Sequence, residues 1–220
     1  MRYGVVLSGI EADVHTLIEL ACEAESAGWD GVFLWDMILG MDVWVVFAAM
    51  AMRTERLHFG TLLTPPSRRR PWKLANEAAT LAHLSGGRFI LSVGLGAAGP
   101  DHPNSEFNKV GEETERKVRV KLMDEALDIL TGLWSGKPFR YDGEHYPLQE
   151  VTYPLPPKQR IPIWVVGAWP REKSMQRVIR YDGVLPEGIR EDGTRFNPSY
   201  DDIRDMKRYI DERRPGNSGE

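Results

Sequence analysis

The chain has 220 residues, enough to bury one substantial core. Its 28 Lys and Arg residues nearly balance 32 Asp and Glu residues, and the formal net charge of -4 argues against a nucleic-acid or anionic-membrane partner. We therefore expect a protein that acts on small molecules.

The N-terminal segment and the cysteine content bear on the compartment. The first residues lack the uninterrupted apolar core of a signal peptide, and the sequence has no apolar run of the roughly 18 residues that a membrane span needs. The single cysteine, Cys22, excludes an intramolecular disulfide. These features predict a cytoplasmic protein.

Short runs of β-branched and aromatic residues alternate with longer segments of helical period, a rhythm typical of βα units around a parallel sheet. Asp42 is placed to cap the second helix, and Gly86 to end the third. The predicted strands are 3–7, 31–35, 57–62, 89–93, 163–166 and 183–185. The predicted helices are 13–27, 43–53, 71–85, 112–134, one that begins near 171, and 200–213.

Residues 136–162 interrupt this rhythm with a segment rich in aromatics, glycines and prolines. The dipeptide Asp142-Gly143 lies there between two short β-like runs, which predicts a β-hairpin inserted between the fourth helix and the fifth strand. We expect it to decorate one domain, residues 1–213, that is followed by a polar tail at 214–220.

A glycine-rich stretch follows the fourth strand, with Gly94, Gly96 and Gly99 in the spacing G-x-G-x-x-G. In a dinucleotide-binding loop a helix begins at once, but here Pro100 and Pro103 oppose helix growth. Two interpretations stay open. Either the glycines let a flat ligand approach the backbone, or they turn the chain.

Several segments in order resemble one known family. They are "GWDGVFLWD", "TERLHFGTLLTPPSRRRPWKLANEAATLAHLSGGRFILSVGLG", "LDILTGLWSGKPFRYDGEHY", "IPIWVVG" and "YDGVLP". They look like landmarks of the luciferase-like flavin-dependent monooxygenases and oxidoreductases. The resemblance implies an α/β fold of the TIM-barrel type that holds reduced FMN or coenzyme F420 near the ends of the central strands. A strained or cis peptide often follows the third strand in such proteins.

Site residues carry over from the family to matching positions. The resemblance makes Asp36 a catalytic candidate, and His102 is the histidine whose loop could meet a substrate. The implied cofactor contacts are Thr61, Thr64, Gly94, Leu95, Gly96, Gly167, Ala168 and Trp169. Arg171, at a helix start, is a candidate for binding the cofactor phosphate. The five histidines show no metal-ligand spacing, so no metal is expected.

Each position also has a purely structural interpretation. Thr61 could fill the interior, Asp36 could cap a helix or pair with a nearby arginine, and Trp169 could pack under a loop. His102 could be a bystander. The run 68–70, three arginines, could clamp a phosphate, but a solvated surface is favoured.

The chain also departs from the family pattern. Met37 stands where many relatives carry a histidine beside the flavin, and Ala82 where many carry an acid. Only about six βα units are predicted where a barrel has eight, which indicates a shortened barrel with open sheet edges. Three interpretations stay open: a truncated product, a partial barrel whose edges are covered by rearrangement, and a homodimer that buries the gap, which is the one we favour.

Two functions follow. The first is an oxidoreductase or monooxygenase that acts on a small organic substrate, with a flavin reductase as a possible supplier of reduced cofactor. The second is a catalytically silent flavin-binding or assembly protein. A barrel hydrolase or aldolase lacks a supporting set of residues.

Overall fold

A computed structural model describes residues 1–7, 12–99, 102 and 105–214. The chain divides into two compact units, Met1–Ile161 and Pro162–Glu220. The expectation of one domain over residues 1–213 stays a prediction. Of the predicted tail, only Arg214 is described, and its guanidinium donates to the carbonyl oxygens of Val178 and Asp182.

The first unit is a parallel sheet with helices. Strands β1, β2, β3 and β4 pair side by side in chain order. The strands are β1 (Gly4–Leu7), β2 (Gly31–Leu34), β3 (His58–Thr61) and β4 (Phe89–Val93). The helices are α1 (Val14–Ser26), α2 (Val43–Arg53), α3 (Pro71–Ser85), α4 (Glu106–Val110) and α5 (Arg116–Trp134), and a 3-10 turn covers Pro66–Arg68.

The prediction for residues 105–134 needs correction. The structure places a short helix, α4, where none was predicted, with Ser105 as its N-cap. The next helix begins at Arg116 rather than at 112, because the side chain of Glu115 accepts the N–H groups of Lys117 and Val118 and caps it there.

The inserted hairpin is confirmed. Strands β5 (Pro138–Asp142) and β6 (Pro147–Thr152) pair antiparallel. Glu125 of α5 is buried, and its carboxylate accepts the N–H groups of Glu144, His145 and Tyr146 in the turn. A buried carboxylate needs such donors, so this contact fixes the hairpin on the helix.

The second unit has two parallel strands, and both are longer than predicted. A third strand of two residues, which was not predicted, pairs antiparallel with the second of them. Met175, Val178, Met206 and Ile210 form its core between the two helices. The elements are β7 (Ile163–Trp169), α6 (Glu172–Arg180), β8 (Gly183–Ile189), β9 (Arg195–Phe196) and α7 (Tyr200–Arg213).

Aromatic rings fill the layer between the first unit's sheet and α2. Phe47 of α2 stacks on Phe59 of β3 with 5.5 Å between ring centroids. Phe89 of β4 lies 6.2 Å from Phe47 and 5.4 Å from Trp44. These contacts show that Phe59 of β3 and Phe89 of β4 face the helices. Because side chains alternate along a strand, Ser92 of β4 lies on the opposite face from Phe89.

The start of β3 is held by two charged side chains. The carboxylate of Glu25, on α1, accepts the N–H groups of Glu55, Arg56 and Leu57. Arg88 donates five hydrogen bonds to the ends of α2 and α3 and to the carbonyl oxygen of Leu57. Leu57 is thus fixed through both of its backbone groups, and the strand that carries Thr61 begins at a defined position.

Glu25 predicts a pH dependence of stability. Burial opposes ionisation, but the three backbone N–H groups outweigh it and lower the pKa of Glu25 below its ordinary value of 4.5. A depressed folded-state pKa contributes stability above the unfolded pKa, and that stability is lost as the pH falls through the folded value.

We expect Glu25→Gln to lower the free energy of unfolding at pH 7 by about 1 kcal/mol. The difference from the unsubstituted protein should shrink as the pH falls below 4.5, measured by urea denaturation from pH 7 to pH 3. The control is Glu19→Gln, an exposed glutamate on the same helix. An equal pH dependence of both variants would contradict this assignment.

Candidate active site

Asp36 lies two residues beyond the end of β2 and points toward the helices. Alternation places it on the same face as Val32 and Leu34, both fully buried. The indole Nε1 of Trp44, on α2, donates to Asp36 Oδ2 over 3.2 Å. The opposite face of this segment carries Trp35, which is 43% exposed.

Four side-chain donors surround the Asp36 carboxylate, which is 3% exposed. Oδ2 accepts from Thr64 Oγ1 at 2.8 Å as well as from Trp44. Oδ1 accepts from Arg68 Nη2 at 3.1 Å and from Arg69 Nη2 at 3.4 Å. These contacts occupy both oxygens, which supports the ion-pair interpretation. Direct contact of Asp36 with a reacting molecule stays a prediction.

The two arginines correct the solvated-surface interpretation of the run 68–70. The side chains of Arg68 and Arg69 are only 10% and 17% exposed, while Arg70 is exposed. The 3-10 turn before α3 directs the first two guanidiniums toward Asp36. Arg69 also lies over the Trp44 ring, 4.9 Å from its centroid.

Glu77 of α3 completes this charge network. Its carboxylate accepts from Arg69 Nη1 at 2.9 Å and lies 3.2 Å from Lys73 Nζ. Arg69 therefore lies between two carboxylates, those of Asp36 and Glu77. The excess charge of a second arginine beside Asp36 is offset by this second acid.

The predicted threonines lie inside the same network. Thr61 and Thr64 are fully buried, with 3.0 Å between their hydroxyl oxygens, and Thr61 Oγ1 lies 3.1 Å from the Ser92 carbonyl oxygen. Thr64 also donates to Asp36, and because each hydroxyl carries one hydrogen, two of these three contacts are hydrogen bonds at any one time. The peptide bond between Leu62 and Leu63 is cis, as the family resemblance implies.

A side chain of α5 holds the glycine loop after β4 through hydrogen bonds. Arg119, 3% exposed, donates to the carbonyl oxygens of Leu95 at 2.6 Å and of Gly96 at 3.2 Å. Gly96 has a φ of +71°, and a Cβ there would lie 2.9 Å from both Phe107 and Pro65. The structure therefore supports a chain-turning role at Gly96. Ligand contact by Gly94, Leu95 and Gly96 stays a prediction.

His102 lies between residues that the structure does not describe. Its backbone carbonyl accepts from Ser105 and Asn108. Its ring Nε2 is buried and has no hydrogen-bond partner among the described residues. Its role toward a substrate stays a prediction.

The second-unit candidates have packing roles. A Cβ at Gly167 would lie 2.7 Å from Val184, so glycine lets β7 and β8 pack closely at this point. Ala168 is buried. Trp169 meets the Tyr209 ring edge-on, with centroids 5.9 Å apart, which supports the packing interpretation.

Arg171 precedes α6, and its Nη2 donates to the carbonyl oxygens of Arg190 and Glu191. Cofactor contacts by Arg171 and the other three second-unit residues stay predictions.

The sequence analysis did not identify four residues that help to build the candidate site: Trp44, Glu77, Phe107 and Arg119. The sequence held a signal for one of them. Arg119 occupies a core position of α5, at helical spacing from the buried Met123 and Ala126. A charged residue in such a position needs internal partners, so its pattern indicates a buried polar site.

Within the described ranges, no group of three or more His, Cys, Asp or Glu side chains is arranged to hold a metal ion. The helices of the same ranges include none that is both long and apolar enough to cross a bilayer.

Residues 1–212 match the family model for luciferase-like monooxygenases. The chain belongs to the luciferase-like monooxygenase family. Two curated relatives are F420-dependent glucose-6-phosphate dehydrogenases. The protein of Microbacterium testaceum is 30% identical over 182 residues, 77% of this chain and 52% of its own. The protein of Kineococcus radiotolerans is 32% identical over 200 residues, 86% of this chain and 55% of its own. This luciferase-like chain thus spans about half the length of these relatives.

Similar solved structures confirm the predicted TIM-barrel-type α/β fold. An F420-dependent secondary alcohol dehydrogenase, in complex with an F420-acetone adduct, matches 96% of this chain and 66% of its own with a TM-score of 0.75 and 23% identity. Monooxygenase RslO1 from Streptomyces bottropensis matches 100% of this chain and 68% of its own with a TM-score of 0.78 and 19% identity.

We expect Asp36→Ala to lower the free energy of unfolding by about 3 kcal/mol, because it leaves two largely buried guanidiniums without their shared acid. The matched control is Asp142→Ala, whose ion pair with Arg140 is exposed and should contribute less than about 1 kcal/mol. Urea denaturation of both variants measures the difference.

If Asp36→Ala does not fold, Asp36→Asn tests the same point, since it keeps the shape and removes the charge. Equal stability losses at positions 36 and 142 would contradict a central role for this ion pair.

Proposed function

We propose that the chain is an oxidoreductase that binds reduced FMN or F420 at the carboxyl ends of its parallel strands and acts on a small organic substrate. The observation that carries this function is the convergence of Asp36, Thr61, Thr64 and the 94–96 loop at neighbouring ends of β2, β3 and β4. In parallel α/β sheets that edge is where ligands bind.

The face of the sheet that points away from α2 suits a flat apolar ring. Trp35 offers a half-exposed indole there. A planar ligand can stack on that indole.

The chain's own groups would supply orientation. Bound in its reduced form, the cofactor supplies a hydride or, as a flavin, activates dioxygen. Arg68 and Arg119 hold the main chain of the loops after β2 and β4 through carbonyl oxygens, so both loops keep their positions while a ligand binds. The Asp36 network keeps fixed charges beside the strand ends.

The finer parts of this function are proposals too. The relatives named above act with F420, which favours F420 over FMN as the cofactor. A homodimer, a cytoplasmic location and, where the cofactor is FMN, a flavin reductase as supplier of its reduced form complete the proposed function.

One observation favours the second candidate, a catalytically silent flavin-binding or assembly protein. Asp36 is fully engaged and Met37 follows it, so the end of β2 offers no free proton-transfer group. Such a protein would bind the cofactor without turnover under any reductant.

The test is a titration of the protein with oxidised and reduced FMN and F420, followed by absorbance and fluorescence. We expect saturable binding of one cofactor, and at least about tenfold weaker binding by Gly94→Val, whose added side chain blocks approach to the backbone. Ala48→Val on α2 is the control for added volume. Absence of binding by folded protein would contradict the function, and binding without turnover would favour the second candidate.

A further inference from the structure

The loop between β2 and α2 is apolar and exposed. Of residues 35–41, "WDMILGM", only Asp36 has a polar side chain, and it points inward. Trp35 is 43% exposed, Met37 38% and Leu39 56%. Several large apolar side chains on one surface loop indicate a binding surface, because the exposure of apolar surface to water is unfavourable.

Charged residues outside this loop hold its main chain. Glu106 of α4 accepts the N–H groups of Ile38 at 3.0 Å and Leu39 at 3.3 Å. Arg68 donates to the carbonyl oxygens of Asp36 at 2.9 Å and Met37 at 3.4 Å. The charges bind the backbone, so the loop is fixed while its apolar side chains stay directed outward.

The buried guanidiniums nearby are already bound to the protein. Arg68 and Arg69 pair with Asp36, and Arg119 donates to two carbonyl oxygens of the glycine loop. A phosphate group that bound one of these three guanidiniums would have to displace its internal contacts, which means the loss of hydrogen bonds to a charged group. An uncharged ligand displaces none of them.

We propose that Trp35, Met37 and Leu39 form the recognition surface for an uncharged organic substrate with an apolar body, in preference to a sugar phosphate. This substrate class rests on the oxidoreductase function proposed above.

A small molecule fits this surface better than a second copy of the chain. The loop follows the carboxyl end of β2 and continues the candidate site, where parallel sheets bind small ligands. Three side chains also cover far less than the roughly 800 Å² per partner that a stable protein interface buries. Methionine is unbranched and adapts to apolar ligands of varied shape.

The test compares two variants that make the same chemical change, Met37→Gln in the loop and Met52→Gln on α2, where Met52 is 69% exposed. Calorimetry measures the affinity of 2-octanol and of glucose 6-phosphate for the protein saturated with whichever cofactor binds. We expect 2-octanol to bind, Met37→Gln to weaken it about tenfold and Met52→Gln to leave it unchanged, while glucose 6-phosphate does not bind.

Binding of glucose 6-phosphate without 2-octanol, or equal effects of both variants, would overturn the substrate class. Light scattering gives a further outcome against it: a dimer that Met37→Gln converts to a monomer would assign the loop to an interface between copies. If neither cofactor binds, that result contradicts the oxidoreductase function but not the proposed role of the loop. The 2-octanol titration of cofactor-free protein then tests the loop separately.

Discussion

Burial of the Asp36 carboxylate is the constraint on which the strand-end loops of the first unit depend. A carboxylate removed from water costs several kcal/mol unless donors replace the water around it. Here the donors come from α2, from the segment after β3 and from the turn before α3. Because all of them must reach one pair of oxygen atoms, the ends of β2 and β3 and the start of α3 are held in one arrangement.

The same solution recurs elsewhere in the first unit. Glu25, Glu106 and Glu125 each accept backbone N–H groups of a loop or turn that lies far away in sequence. A carboxylate can accept several donors at once, so one side chain orders several consecutive residues of a distant segment. These carboxylates thereby serve the architecture, while the exposed side chains of the loop after β2 are apolar.

Local patterns were sufficient for most elements but not for the directions of charged side chains. The apolar runs of β2 and β4, the cap at Asp42 and the left-handed Gly86 are encoded within a few residues, and the structure confirms them. The short helix α4 and the two-residue β9 carry too little periodicity to predict. Whether Arg68 meets solvent or Asp36 depends on the packing of β2 against the segment after β3, which no local pattern contains. The family resemblance singled out Thr61 and Thr64 without indicating that their hydroxyls would lie in contact beside Asp36.

In the loop after β2, the hydrogen bonds that fix the backbone do not involve the side chains that the loop exposes to solvent. Glu106 and Arg68 contact only its main chain and the side chain of Asp36, so no hydrogen bond that fixes the loop depends on the side chains at 37 or 39. Substitutions at these two positions can therefore change the shape and polarity of the exposed surface while the frame beneath it persists. In evolutionary terms, one or two mutations would be enough to move such a protein between ligands, with little loss of folding stability.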